Sequence, residues 1–244
     1  MILTETSIFR QHKNSFLGSS WSVLQPFIHI MIISYVFSFL FKQPAEVLVR
    51  NLIAGIPLWT FIMNSLLSGS KSLIDRSEIL KKISIRKTLL PISDILVHFY
   101  TFLWAFISMY LALIIIYPAY LSFTIIYAPI VIIPTIISII CVGAALAYIT
   151  PYIMDVPHII TVLLNAVYWT LPILYPYDLI PEEKKWLFEI NPLFHLIRPL
   201  QYLVLNCTFP PLIIMIKACL IMLISMIISY YVINALSRNV VYYL

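Results

Sequence analysis

The chain is a succession of apolar runs, each about as long as a helix needs to cross a bilayer, separated by short polar stretches. Residues 1–20 come first, with Ile2, Leu3, Ile8, Phe9 and Phe16 on one side of a polar, amphipathic stretch that predicts a short interfacial helix. Six spans follow, at about Trp21–Phe41, Leu52–Ser70, Ile92–Tyr117, Phe123–Tyr148, His158–Tyr175 and Leu212–Leu236. The runs are continuous and do not alternate, so they predict helices and exclude a lipid-facing barrel. No small-residue cleavage site follows the first run, which is therefore expected to stay as a span. The expected fold is an all-α integral membrane protein with a single transmembrane domain over residues 1–244.

Two polar stretches stand out from this pattern. Ser77–Pro91 (SEILKKISIRKTLLP) lies in a loop that, with its flanks, holds Lys71, Arg76, Lys81, Lys82, Arg86 and Lys87, six of the fifteen Lys and Arg residues. Asp75 or Ser77 can cap a short helix, and Glu78 in its first turn suits the positive end of the dipole. Ile79, Leu80 and Ile83 then form an apolar ridge flanked by Lys81 and Lys82, a surface for a soluble partner or simply a topology signal. The second stretch, residues 177–206, predicts two short helices. Pro181 opens the first, Trp186, Leu187 and Ile190 stripe it, and Asn191-Pro192 breaks it before Leu193–Asn206. Such helices would either cap a pore or lie passively on the surface.

Charge sets the orientation. Arg10, Lys13, the six loop residues and Arg238 make nine on one side, against Lys42, Arg50, Lys184, Lys185, Arg198 and Lys217, six on the other. Excess positive charge marks the cytoplasmic side, so both termini and the basic loop are expected there, in a multi-pass protein of the bacterial cytoplasmic membrane.

Composition agrees with the pattern: 62% hydrophobic and 10% charged residues, with a mean hydropathy of +0.99. A soluble domain would carry about a quarter charged residues. The net charge of +5 sits in loops, pointing to lipid headgroups and not to nucleic acid. Cys141, Cys207 and Cys219 have no metal-ligand spacing and predict no disulfide framework.

Gly18, Gly55, Gly69 and Gly143 offer no phosphate-cradling loop, so any nucleotide hydrolysis belongs to a separate subunit. Asp94 and His98, one turn apart, form either an acid–base pair or a plain helix start after Pro91. His29 and His158 have no carboxylate or cysteine cluster nearby in the sequence and read as interfacial or packed residues. Carboxylates are scarce inside the spans, which argues against an ion pump. Aromatics and hydroxyls are common there instead. Tyr35, Trp59, Tyr168 and Trp169 are candidates for lining a sugar path, although interface belts use the same residues.

Four motifs, in order, resemble the membrane subunit of type-2 ABC polysaccharide exporters, the O-antigen and teichoic-acid group: Lys13–Pro26 (KNSFLGSSWSVLQP), Leu52–Thr60 (LIAGIPLWT), Ser77–Pro91, and Leu171–Pro192 (LPILYPYDLIPEEKKWLFEINP). The chain departs from that family at Gln11-His12-Lys13, where Arg-Tyr-Lys is usual, and at Ile85-Arg86-Lys87-Thr88, where Phe-Pro-Arg-Glu is common.

The resemblance implies a homodimer of six-span subunits with two copies of a separate ATPase, which binds ATP and Mg while this chain binds no cofactor. The substrate it implies is a glycan on an undecaprenyl-type lipid. Glu78, Ile79, Leu80, Lys81, Lys82, Ile83 and Arg86 would couple to the ATPase. Arg10, His12, Lys13, Leu17, Gly18 and Trp21 would form the entrance for the lipid-linked diphosphate, or a plain anchor. Tyr175, Pro176, Pro181, Trp186, Asn191 and Pro192 would belong to the external gate. A type-2 ABC permease for a drug or small lipid is the alternative reading; an intramembrane lipid-modifying enzyme fits less well.

Overall fold

The computed structural model describes residues 21–82, 85–120 and 122–243. Among them, helices α1 (Trp21–Phe41), α2 (Ala45–Asp75), α3 (Ser77–Lys82), α4 (Leu89–Ile116) and α5 (Ala128–Ile149) precede α6 (Val156–Trp169), α7 (Lys185–Glu189), α8 (Pro192–Asn206) and α9 (Leu212–Leu236). The interfacial helix expected over 1–20 lies outside the described residues.

Four segments are long and apolar enough to cross a membrane: Ala45–Asp75, Leu89–Ile116, Phe123–Ile149 and Leu212–Leu236; Phe27–Phe41 and Val156–Trp169 are shorter apolar helices. Four of the six expected spans thus have full-length counterparts among the described residues. α2 runs well beyond the expected Leu52–Ser70 because its ends are polar: Glu46, Arg50 and Asn51 at one, Lys71 and Asp75 at the other. Its 31 residues extend about 46 Å, more than the roughly 30 Å of hydrocarbon.

The expected fifth span, His158–Tyr175, needs correction. α6 stops at Trp169 after 14 residues, about 21 Å, and Thr170 caps it. Pro172 and Pro176 prevent regular helix here, and Leu171, Ile173 and Leu174 turn inward as buried residues. Their backbone finds side-chain partners. Asn51 Nδ2 donates to the carbonyls of Ile173 (2.7 Å) and Tyr175 (3.1 Å), and Gln201 Nε2 donates to that of Pro172 (2.8 Å). Ile173 lies against Gly55, where a Cβ would come within 2.8 Å of its side chain, so the loop can approach α2 closely only at glycine.

α2 is the hub, packing against α1, α4, α5, α6 and α8, while α9 rests on α5 and α8. α2 and α5 meet at Gly69 and Gly143, the close backbone crossing that small residues allow in membrane bundles. A second, smaller apolar cluster joins the basic ends of the helices: Leu73, Leu90, Ala147, Tyr148 and Val240 are buried, with Leu80, Tyr152, Ile233 and Leu236 against them.

Candidate functional site

At the basic end, α3 leaves α2 after a single residue, Arg76. That residue grips α4: its Nη1 donates to Asp94 Oδ2 at 2.7 Å, and Nη2 donates to Oδ1. The bond to Asp94 raises the Arg76 guanidinium further above its already high value. Asp94 is therefore committed to Arg76, and the alternative of an Asp94–His98 acid–base pair lapses.

Within the coupling candidates, Glu78, Lys81, Lys82 and Arg86 are exposed. Leu80 is half-buried against its own protomer in the smaller cluster, so the expected free ridge is partly an anchor. The side chain of Ile79, and Ile83 as a whole, lie outside the described residues. Lys87 Nζ donates to the Ser237 carbonyl at 3.0 Å and Thr88 shares a 3.0 Å hydrogen bond with Tyr148, so this segment is tied to the end of α9 and to α5. Of the entrance candidates, Arg10, His12, Lys13, Leu17 and Gly18 lie outside the described residues. Trp21 begins α1, and its side chain is likewise not described.

Three of the four channel-lining candidates form one row of rings, Trp59 on Tyr168 and Tyr168 on Trp169 (5.8 Å between centroids), while Tyr35 stands apart on α1. Trp59 is 6% exposed and packs on Tyr168 at 5.5 Å between ring centroids; Trp169 (66%) and Tyr35 (67%) face outward on α6 and α1.

At the opposite end, the ring of Tyr175 lies between Phe41 (6.4 Å) and Phe188 (6.3 Å), and Pro176 is half-buried. Pro181 is exposed and opens a 3-10 turn, Glu182–Lys184, that leads into α7. Trp186 and Leu187 are exposed on α7, and Ile190, which caps its end, is 76% accessible. Asn191 Oδ1 accepts the Leu193 N–H at 2.9 Å, capping α8, with Pro192 as its first residue.

α8 is not the passive surface helix that one of the two readings allowed. Phe194, Leu196, Ile197, Leu200, Leu203 and Val204 are buried among the long helices, and Thr135 of α5 donates to the Leu196 carbonyl at 2.7 Å.

A polar knot ties this cap together around Glu189. Lys217 Nζ donates to Oε2 at 3.0 Å, Tyr177 OH donates to Oε1 at 3.1 Å, and the Glu189 carbonyl lies 2.7 Å from His195 Nε2. The hydrogen bond from Lys217 holds the Glu189 carboxyl below its ordinary range, and burial pushes His195 down. Lys185 and Arg198 both sit over the Tyr177 ring, at 4.9 and 4.4 Å. Nothing in the sequence marked Asn51, Gln201 or Glu189 as organising residues: Asn51 and Gln201 bond carbonyls 29 or more residues away, and the Lys217 that pairs with Glu189 lies 28 residues on.

A family model described as ABC-2 type transporter matches residues 1–205. The chain belongs to the ABC-2 type transporter family. It is thus a multi-pass transport subunit of the membrane, not an enzyme, and works with an ABC ATPase. It is similar to a Klebsiella pneumoniae protein named O-antigen export system permease protein RfbA, 24% identical over 209 residues, 85% of this chain and 80% of that one. A protein of the same name from Myxococcus xanthus is 23% identical over 201 residues, 82% of this chain and 77% of the relative. As an ABC-2 membrane subunit, the chain presents two specialised ends: a basic end anchored through Leu80 and Arg76, and an opposite cap knotted at Glu189.

Proposed function

We propose that this ABC-2 subunit, as a homodimer with two copies of its ATPase, exports a lipid-linked polysaccharide of the O-antigen, capsule or teichoic-acid type across the cytoplasmic membrane. The observation that carries this reading is similarity along about four fifths of both chains to permeases named for O-antigen export. The basic end faces the cytoplasm, where its charge excess belongs. Glu78, Leu80, Lys81, Lys82 and Arg86 form the ATPase contact, with ATP and Mg on that partner. Arg10, His12 and Lys13 attract the diphosphate of an undecaprenyl-type carrier. Residues 177–206 cover the external mouth.

Physical chemistry supports an enclosed path, because a hydrophilic polymer cannot cross hydrocarbon unaided. Deleting the gene is expected to strip the glycan from the cell surface and accumulate it on its lipid carrier inside, with both effects reversed by the intact gene. Surface glycan that is unchanged by deletion would favour a permease for a drug or small lipid.

A further inference from the structure

The exposed faces of the long helices differ in kind. α9 shows Leu220, Leu223, Ile224, Ile227 and Ile228, an apolar face suited to lipid. α2 shows Thr60, Asn64 and Lys71 exposed and Ser68 half-buried, spaced as one helical face running toward the basic end. Across a groove from Thr60 and Asn64 stand His98 and Thr101 of α4; Pro57, Phe61, Phe102 and Ala105 complete the lining.

Asn64 and His98 lie about 15 Å along the axis from the basic ends of their helices, well within the span. Thr101 is satisfied by the Val97 carbonyl at 3.1 Å. Thr60, Asn64 and His98 make no hydrogen bond among the described residues, and polar side chains left unpaired at such depth are costly against hydrocarbon. Asp94, one turn from His98, is already taken by Arg76.

The groove therefore offers an amide, an imidazole and a hydroxyl with no committed anion or cation, on a floor of phenyl rings. Neutral donors and acceptors at the edge with apolar carbon beneath match a hydroxylated ring, and the lack of a fixed cation disfavours phosphate. We propose that this groove is a saccharide-binding site, holding a neutral sugar ring of the transported chain through Asn64, His98 and Thr60. The proposal rests on the export reading above and names where the glycan is held.

The test uses the full complex in cells that make the glycan, with Cys141, Cys207 and Cys219 replaced by serine. A small maleimide is expected to label Asn64→Cys in cells blocked at the first sugar transfer, and much more slowly where lipid-linked glycan is made. Equal labelling in both strains overturns the site, as does equal protection in both, which would mean a second copy of the chain covers the groove. Thr60→Val with Asn64→Leu keeps the span apolar and should leave membrane level and ATPase copurification normal, while surface glycan falls about tenfold. Unchanged surface glycan overturns the site. Deletion of the gene tests the export reading alone: no effect there overturns that reading and this site with it. Glycan lost on deletion but exported normally by the double variant overturns the site only.

Discussion

Arg76 and Asp94 form a two-pronged pair at the junction of α2, α3 and α4, with side chains 29% and 16% accessible. Arg76→Ala would leave a largely buried carboxylate unpaired, so the purified complex should lose about 2 kcal/mol of stability, seen as a lower Tm; Asp94→Asn should cost less. The sequence read Asp94 as part of a helix start, or as the partner of His98; the helix begins earlier, at Leu89, with no acid in its first turn, and Asp94 pairs with Arg76 instead, because a partner one turn away is visible in a sequence and one 18 residues back is not. At the opposite cap, two shifted groups set a pH dependence. Glu189 is held below its ordinary 4.5, chiefly by Lys217, so its stabilising contribution is complete above 4.5 and is lost as pH falls through the lowered value. His195 is pushed below 6.5, chiefly by burial, so its neutral form supports the fold above 6.5 and that support fades as pH falls through its own lowered value. Amide exchange over α7 and the start of α8, corrected for intrinsic rate, should therefore rise as pH drops from neutrality. The Glu189 share should stay under about 1 kcal/mol, because its side chain is 42% accessible.

Where elements meet, glycine and amide positions decide the geometry. Gly69 faces the backbone of Gly143, whose Cα and carbonyl oxygen lie 3.4 and 3.5 Å from where a Cβ would be, so a Cβ alone fits but the methyls of a larger side chain meet fixed backbone. Gly69→Val should force α2 and α5 apart and cost about 1–3 kcal/mol, measurable as a fall in Tm. Gly143→Ala should cost less, since its nearest neighbour is the mobile tip of Ile95 at 2.7 Å. Asn51→Ala would strand buried carbonyls of residues 173 and 175, and should both lower Tm and expose the loop after α6 to proteolysis. The bounds of α9, Leu212–Leu236, were legible to the residue, because its run is uniformly apolar between Pro210-Pro211 and the polar Ser237-Arg238. The end of α6 was not legible, because Leu171, Ile173 and Leu174 continue the apolar run while the chain turns into the core. Pro172 and Pro176 were the available signal, outweighed by hydropathy.

At the scale of the whole molecule, the apolar pattern gave the fold class and the order of the helices, but not what each exposed face meets. Hydropathy reports how apolar a residue is. It does not report that α8, which the sequence allowed either to cap a pore or to lie on the surface, is wedged between α2, α5 and α9. The basic loop shows the same limit. The sequence presented Leu80 as part of a free ridge, whereas it packs against the cluster of Leu73, Leu90 and Val240, joining α3 to α2, α4 and the 3-10 turn Val240–Tyr243 after α9. On the transport reading, this is how a push from the ATPase on α3 would reach several helices at once, because a packed cluster moves as a unit. Lys81 and Lys82, exposed on the same helix, would then set the approach of the partner more than the strength of its grip. Leu80→Asp should detach α3 from the cluster and abolish export, with ATP hydrolysis by the copurified ATPase no longer responding to transport. Lys82→Ala should retain most of both activities. Equal, mild losses from the two variants would mean that Leu80 transmits nothing and that the basic loop serves only to orient the chain in the membrane.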